Sequence, residues 1–175
     1  RSRNVERDPE GGETVYVFDD KGRETMRQDP EGYRNYKYYD GQNHVTNTVD
    51  ARGAITRYRY DGNQNVTNIV DAMSNQTSYA YDSNYRLIQV RNALDYVTQY
   101  GYDSEHHLTN LVDAAGNATR TSYTAAGLPQ TVTDPKGNQT VFAYDSYSYG
   151  NPATIQRTAG GTITNTYNLL GDLTV

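Results

Sequence analysis

Apolar and polar positions alternate over short stretches of the chain, and the stretches recur at a fixed interval. Over residues 56–60, Thr56, Tyr58 and Tyr60 alternate with two arginines, and Tyr79 repeats the pattern 21 residues after Tyr58. Alternation of β-branched or aromatic residues with polar ones is typical of a strand that packs one face. Because no segment sustains a 3.6-residue period, the pattern predicts strands and no helix.

An aromatic residue, in most cases followed by Asp, sets the period of the whole chain. The predicted aromatic column is Phe18, Tyr39, Tyr60, Tyr81, Tyr102, Tyr123 and Tyr144, with Tyr167 as an irregular eighth member. Residues 1–7 are predicted to be a lead-in and residues 8–175 a repeat array. The array divides into seven regular units over 8–157 and an irregular unit over 158–175. The sequence begins and ends within the repeat pattern, without a capping segment, so we expect a piece of a longer repeat protein.

Each unit contains two predicted turns. One follows the aromatic residue, and the second reads Asp-Pro-x-Gly in its clearest copies. Asp bonds the backbone two residues on, Pro presets φ, and Gly tolerates the positive φ at the end of the turn. The predicted structural turn residues are Asp8, Gly11, Asp29, Gly32, Asp50, Gly53, Asp71, Asp113, Gly116, Asp134 and Gly137.

Six turns lack the expected glycine. Asn43, Gln64, Tyr85 and His106 replace it after the aromatic residue, and Ser74 and Asp95 replace it in two linking turns. Asn is a fair substitute at positive φ, whereas Tyr and His are poor ones. These replacements leave the strand prediction intact and the turn types open.

The predicted fold class is all-β. Eight two-stranded units of about 21 residues, joined in sequence, predict one antiparallel meander. Open sheets seldom exceed about ten strands without curling, because each strand twists relative to its neighbour. We therefore expect the meander to spiral into a curved β-shell or solenoid. Tyrosines 21 residues apart would form columns along it, with offset-stacked rings.

Composition explains what holds such a sheet together. The 175 residues include 18 Tyr and no Cys or Trp, and the mean hydropathy is −0.91. Tyr must therefore supply much of the apolar mass of a thin wall. Without cysteine there is no disulfide or thiolate site. The net charge of −5 argues against nucleic acid as a partner, and no apolar run is long enough for a helical membrane span.

The repeat resembles the RHS or YD repeat. Residues 81–87 read Tyr-Asp-Ser-Asn-Tyr-Arg-Leu, and residues 134–137 read Asp-Pro-Lys-Gly, which match the two halves of that family's pattern. The resemblance implies a large β-shell around a hollow interior. In bacterial polymorphic toxins and insecticidal toxin complexes such shells enclose a C-terminal toxic domain. In teneurins a related barrel belongs to a cell-surface adhesion protein.

The resemblance implies a structural scaffold and not an enzyme. Such a wall would enclose or present another segment of the same polypeptide, such as a C-terminal toxin, and would be secreted or displayed at a surface, most naturally a bacterial one. Its partners would be other repeats and that segment, with no cofactor. The alternatives are a cell-surface adhesin or carbohydrate-binding module that uses exposed Tyr and Asn, and a component of a filament or larger assembly.

Candidate chemistry is sparse. The resemblance implies a self-cleavage region in which Pro129 precedes Asp134 and Pro135, but the same Asp-Pro turn recurs elsewhere, so a structural turn is favoured. His106 and His107, if on a strand, point to opposite faces and cannot readily share a metal ion, and variable turn positions are the favoured interpretation for them. His44 is isolated in the sequence. The Asp spacing is too open for a calcium loop, so no metal site is predicted.

Overall fold

The computed structural model describes residues 1–144, 150–158, 160–168 and 172–173. Sixteen strands, and no helix, occur along these residues. The strands are β1 (Ser2–Arg7), β2 (Glu13–Phe18), β3 (Glu24–Gln28), β4 (Arg34–Tyr39), β5 (Val45–Val49), β6 (Ile55–Tyr60), β7 (Val66–Val70), β8 (Gln76–Tyr81), β9 (Leu87–Arg91), β10 (Val97–Tyr102), β11 (Leu108–Val112), β12 (Ala118–Tyr123), β13 (Pro129–Thr133), β14 (Gln139–Ala143), β15 (Thr154–Arg157) and β16 (Thr162–Thr164).

The chain divides into two compact units, Arg1–Asp95 and Tyr96–Val175. In the first unit, strands β1 to β9 form an antiparallel meander in which each strand pairs with the next. Strands β10 to β16 do the same in the second unit. The prediction of an all-β antiparallel meander is confirmed. Residues 2–7 of the expected lead-in form β1.

A register shift accompanies the aromatic column. In the β6–β7 pair, Arg59 faces Asn68 while Tyr60 faces Val66, so Thr67 is an extra residue on its strand. Such a bulge bends the strand and increases its twist. The same shift falls immediately before Phe18, Tyr39, Tyr81, Tyr102 and Tyr123. The aromatic residue of each unit therefore marks a regular distortion of the sheet.

The sheet has little conventional core. Among the described residues, Val15 is the one buried apolar side chain, with 7% exposure. Most residues of the inner strands are half-buried, because a single layer of strands leaves both of its faces partly open. Stability must therefore come from the strand ladder and from side chains that cover neighbouring repeats.

The last part of the array is shorter and less regular. β15 pairs with both β14 and β16, and beyond them Tyr167 forms an isolated bridge with Leu173. Antiparallel pairing therefore continues past the regular units. Asp145, which completes the last aromatic-Asp pair, and Ala159, from the irregular turn, lie outside the described residues.

Candidate functional site

Both kinds of turn share one hydrogen-bonding pattern. In the turn after Tyr60, the Asp61 N–H donates to the Asn65 carbonyl (3.0 Å) and the Gln64 N–H donates to the Asp61 carbonyl (3.2 Å). Oδ1 of Asp61 accepts the N–H groups of Asn63 and Asn65, both at 2.9 Å. The linking turn at Asp71 repeats this arrangement. The turn carboxylates thus cap backbone donors, which is the local bonding that favours Asp in turns.

The fourth residue of each turn has a left-handed backbone. The predicted glycines Gly11, Gly32, Gly53, Gly116 and Gly137 have φ between 82° and 90°. The six replacements lie in the same region, with φ of 74° at Asn43, 71° at Gln64, 67° at Ser74, 61° at Tyr85, 62° at Asp95 and 71° at His106. The glycine-free turns therefore keep the turn type, which answers the question that the sequence left open.

In several turns, the side chain four residues after the Asp lies within hydrogen-bonding distance of Oδ2, the second carboxylate oxygen of that Asp. Oδ2 accepts from Arg23 in the Asp19 turn (2.7 Å), from Asn65 in the Asp61 turn (3.1 Å) and from Arg86 in the Asp82 turn (2.7 Å). Nδ1 of His44 lies 3.0 Å from Oδ2 of Asp40, and Nδ1 of His107 lies 3.0 Å from Oδ2 of Asp103. The carboxylate therefore fixes the orientation of the returning side chain.

The returning side chain then packs on the aromatic residue of the next repeat. His44 stacks on Tyr60 with ring centroids 4.5 Å apart, and His107 stacks on Tyr123 at 4.6 Å. The Arg23 guanidinium carbon lies 4.6 Å from the centre of the Tyr39 ring. We expected aromatic neighbours to stack on these tyrosines, and in these contacts the partners are imidazole and guanidinium groups from the preceding turn.

The tyrosine hydroxyls complete the link between repeats. Each donates to a backbone carbonyl fifteen residues earlier in the preceding repeat, at the first residue of a strand in every case except Pro152, which lies two residues before β15. The bonds are Tyr39 to Glu24 (2.8 Å), Tyr60 to Val45 (2.9 Å), Tyr81 to Val66 (3.0 Å), Tyr123 to Leu108 (2.8 Å), Tyr144 to Pro129 (2.7 Å) and Tyr167 to Pro152 (3.2 Å). Tyr102 ends β10 at the same register, and Phe18 has no hydroxyl. We call Asp40, His44 and Tyr60, with their equivalents, the repeat clamp.

The hydrogen bonds of the clamp fix the charge of its carboxylates. The side-chain amide and the N–H of Asn65 lower the pKa of Asp61. The Arg23 N–H, followed by its guanidinium, lowers the pKa of Asp19 against the opposing effect of burial. Burial raises the pKa of Tyr60. Carboxylates that stay ionised and face backbone donors are poor general acids, because a general acid must hold a proton near neutral pH.

The histidines occupy turns. His106 and His107 fall in the turn at 103–107, before β11 begins, at the variable turn positions where they were predicted. The reason is that Asp103 caps the His107 N–H and so closes a turn there. Within the described part of the chain, no three His, Asp or Glu side chains are grouped to hold a metal ion.

The side chains that donate to the turn carboxylates of the clamp were not predicted, although the sequence shows a pattern that identifies them. In the turns that follow the aromatic column, position four after the Asp carries Arg23, His44, Asn65, Arg86 or His107, all of which can donate a hydrogen bond from the side chain. Where Thr124 replaces the Asp, the corresponding residue is the apolar Leu128. The covariation of carboxylate and donor within one sequence would have identified the pair.

The described residues contain no helix with the length and apolar character to cross a membrane. The candidate site is an extended array of capped turns and tyrosine hydrogen bonds. Its repeated element is the clamp.

Comparisons with known proteins agree with this architecture. The RHS repeat model matches residues 39–72, 60–95 and 86–119. Two crystal structures, of a TcdB2-TccC3-Cdc42 complex and of TcdB2-TccC3, superpose with TM-scores of 0.72 at 14% identity and cover 89% and 90% of this chain. A Tc holotoxin pore from Photorhabdus luminescens superposes with a TM-score of 0.71 at 13% identity, over 91% of the chain. No curated protein sequence matches.

The extent of these matches limits what they show. The chain spans 10% of the length of each of these three structures, and identities of 13–14% establish the fold alone. The matched repeats contain the turns and tyrosines of the clamp. The repeat model over residues 39–119 and the fold of the solved structures together support an RHS/YD-repeat protein.

Proposed function

We propose that this chain is part of the wall of a larger RHS shell, which encloses or presents another segment of the same polypeptide, such as a C-terminal toxin. The wall is secreted or displayed at a bacterial surface. The observation that carries the proposal is the repeat clamp: it joins each repeat to the next through hydrogen bonds from Tyr hydroxyls to backbone carbonyls. A device that repeats along the chain stabilises a continuous wall.

The structural neighbours support this role. The three solved structures are toxin components, and the superposition covers about nine-tenths of this chain in each. In this proposal the repeats form the container and any toxic activity belongs to a separate segment. The aromatic column and the turn residues then have a structural role.

The proposed wall is not an enzyme. Asp134 is the residue to test, because its spacing from Pro129 resembles a self-cleavage region. Its carboxylate accepts the Lys136 N–H, the Asn138 N–H and the Asn138 amide, and the amide leads in lowering its pKa. These bonds match those of Asp61 and Asp71, so we assign Asp134 to its turn. Autoproteolysis that Asp134→Asn abolishes would overturn this assignment.

Limited proteolysis tests the container directly. The polypeptide that naturally carries this array would be digested intact, and its flanking segment would be digested alone as the control. We expect the segment to survive within the intact polypeptide and to be degraded when it is expressed alone. Equal degradation in both would contradict enclosure.

A second candidate function has one supporting observation. A groove of about 210 Å³ lies among residues 74–95 and is lined by polar groups that include Ser74, Asn75, Gln76 and Arg91. Amides and hydroxyls of this kind bond sugar hydroxyls, which favours a carbohydrate-binding surface on the same wall. A glycan array tests it: binding that Asn75→Ala weakens would support the adhesin, and no binding to any glycan would exclude it.

A further inference from the structure

One face of the unit Arg1–Asp95 concentrates arginine side chains. Directly paired residues of neighbouring strands lie on the same face of a sheet. The pairings give one row of Tyr38, Asn47, Arg57, Val70 and Gln76, and a second row of Arg59, Asn68, Ser78 and Arg91. Alternation along the strands adds Arg3, Arg7, Glu13, Val17, Met26, Arg34 and Tyr36. We call this surface the arginine face.

The charge of the arginine face is opposite to that of the chain. Its strand residues include six arginines, Arg3, Arg7, Arg34, Arg57, Arg59 and Arg91, against one acid, Glu13, whereas the whole chain has a net charge of −5. Many of the acidic side chains cap turns instead. Arg57 and Arg59 are exposed and form no ion pair among the described residues. Two guanidinium groups are thus available to an anionic partner.

A pocket lies at β4, two strands from Arg57 and Arg59. Its volume is about 520 Å³, and its lining joins Val17, Met26, Tyr36 and Tyr38 of the arginine face to charged residues, Arg1, Asp19, Arg23, Arg34 and Lys37. Tyr38 is 52% exposed. The volume falls in the range of about 300–1,000 Å³ in which pockets hold ligand groups. The arginine face therefore combines a pocket that can hold an apolar side chain with several guanidinium groups.

We propose that the arginine face binds an extended acidic polypeptide segment with one apolar anchor side chain. The inference rests on the proposed function, since it gives the chemistry of the segment that the wall encloses or presents. Carboxylates suit the planar, bidentate guanidinium groups. The cavity favours a polypeptide over an acidic polysaccharide or a nucleic acid, because a polypeptide can join carboxylates to an aliphatic or aromatic anchor on one chain.

The strand spacing fixes the spacing within the segment. Neighbouring strands lie about 4.8 Å apart, so Arg57 and Arg59 on β6 lie about 10 Å from the Tyr38 strand. Arg91 on β9, whose ion pair with Asp95 an acidic residue of the segment would replace, lies about 24 Å from it. An extended chain advances about 3.3 Å per residue. Because side chains of an extended chain alternate sides, a segment that crosses the strands has acidic residues about four and eight positions from its anchor, the even spacings near these distances.

Synthetic peptides test this proposal on the protein. The probe has one Phe followed by Glu four and eight residues later, with Ser or Thr elsewhere. Its controls carry Lys in place of both Glu, or Ser in place of the Phe. By fluorescence anisotropy we expect the acidic anchored peptide to bind, the Lys peptide not to bind, and the peptide without the anchor to bind more weakly. Binding should weaken with added salt, because exposed charges are screened.

Protein variants locate the site. Arg57→Gln with Arg59→Gln should weaken peptide binding about fivefold to tenfold, since each exposed pair contributes modestly. Arg52→Gln with Lys136→Gln removes the same charge from turn residues outside the face and should leave binding unchanged. Circular dichroism checks that both double variants keep the strand content of the parent.

Three results would overturn the proposal. They are no binding of the acidic anchored peptide at about 1 mM, equal loss of binding in both double variants, and equally tight binding of polygalacturonate or a DNA oligomer. These results leave the proteolysis test of enclosure unaffected, because protection of a flanking segment does not depend on the probe peptide. Protection without peptide binding would reject the docking surface alone.

Discussion

Two turns of the second unit that follow the aromatic column, at 103–107 and 124–128, reach the same backbone geometry by different means. In the first, Oδ1 of Asp103 accepts the His107 N–H at 2.8 Å, and His106 holds φ of 71°. In the second, the Thr124 hydroxyl accepts the Leu128 N–H at 3.2 Å, and Gly127 holds φ of 76°. The stronger cap thus accompanies a strained residue, and the weaker cap accompanies a glycine.

The same pairing holds along the array. Each of the six non-glycine residues at positive φ lies in a turn that opens with Asp or Asn. The Asx cap therefore fixes the turn strongly enough to hold a residue that rarely adopts a left-handed backbone. In the Thr124 turn, where the cap is a hydroxyl, the residue at positive φ is glycine. The residue at positive φ therefore varies in turns that keep an Asp or Asn cap.

The largest expected effect is acid unfolding of the Asp-capped turns. Backbone and side-chain donors lower the pKa of turn carboxylates such as Asp61, Asp71 and Asp113 below the ordinary 3.8. The unfolded chain therefore takes up protons first, and stability falls as pH drops from about 4 through the folded pKa values. Circular dichroism between pH 7 and pH 2 should show cooperative loss of strands at the acidic end.

Nuclear magnetic resonance separates the two turns in the same titration. The His107 N–H should shift as its carboxylate acceptor takes up a proton, whereas the Leu128 N–H, bonded to a hydroxyl, should not shift until the whole sheet unfolds. Equal movement of both amides below pH 4 would show that the Asp cap has no special role.

The second effect is strain at Gly127. A Cβ there would lie 2.8 Å from Nε2 of His107, and the φ of 76° is unfavourable for Ala. Gly127→Ala should lower the free energy of unfolding by about 2–3 kcal/mol. Gly137→Ala is the matched control: its φ is 85°, its Cβ would meet open space, and Asp134 caps its turn. A loss of about 1 kcal/mol is expected there, and equal losses in urea unfolding would reject the comparison.

The third effect is the loss of one hydroxyl link of the repeat clamp. Tyr60→Phe removes the hydrogen bond to the Val45 carbonyl at 2.9 Å and keeps the ring that stacks on His44. We expect thermal unfolding to report a loss of about 1 kcal/mol. Tyr58→Phe on the same strand is the control, because the Tyr58 hydroxyl makes no hydrogen bond among the described residues. A loss as large at Tyr58 would show that the link is not specific.

The smallest effect is relief of strain in an Asp-capped turn. Gln64 is exposed and holds φ of 71°. Gln64→Gly should raise the free energy of unfolding by about 0.5 kcal/mol, since glycine adopts this backbone readily but loses more entropy on folding. Gln64→Asn should fall between the two. A lower free energy of unfolding for Gln64→Gly in urea would mean that the Asp cap already removes the strain, so that only the entropy cost of glycine remains.

The strands and turns could be predicted from the sequence more completely than the side-chain contacts between repeats. Alternation and the 21-residue period located the strands, and Asp with Gly located the turns, because these are local backbone preferences. The stacking of His44 on Tyr60 was not predicted, since it joins residues sixteen apart whose approach depends on strand pairing. The arginine face was missed for the same reason: Arg59 and Arg91 share a face only through the register of three intervening strand pairs.

The central claim is that this array is a one-layer wall that encloses or presents another segment. The most direct measurement is electron cryomicroscopy of the natural polypeptide that carries it. We predict that the repeats trace a single sheet, with the Tyr60 hydroxyl on the Val45 carbonyl, around density for a separate segment. A shell that holds no other segment, or an array that joins end to end into a filament, would contradict the claim.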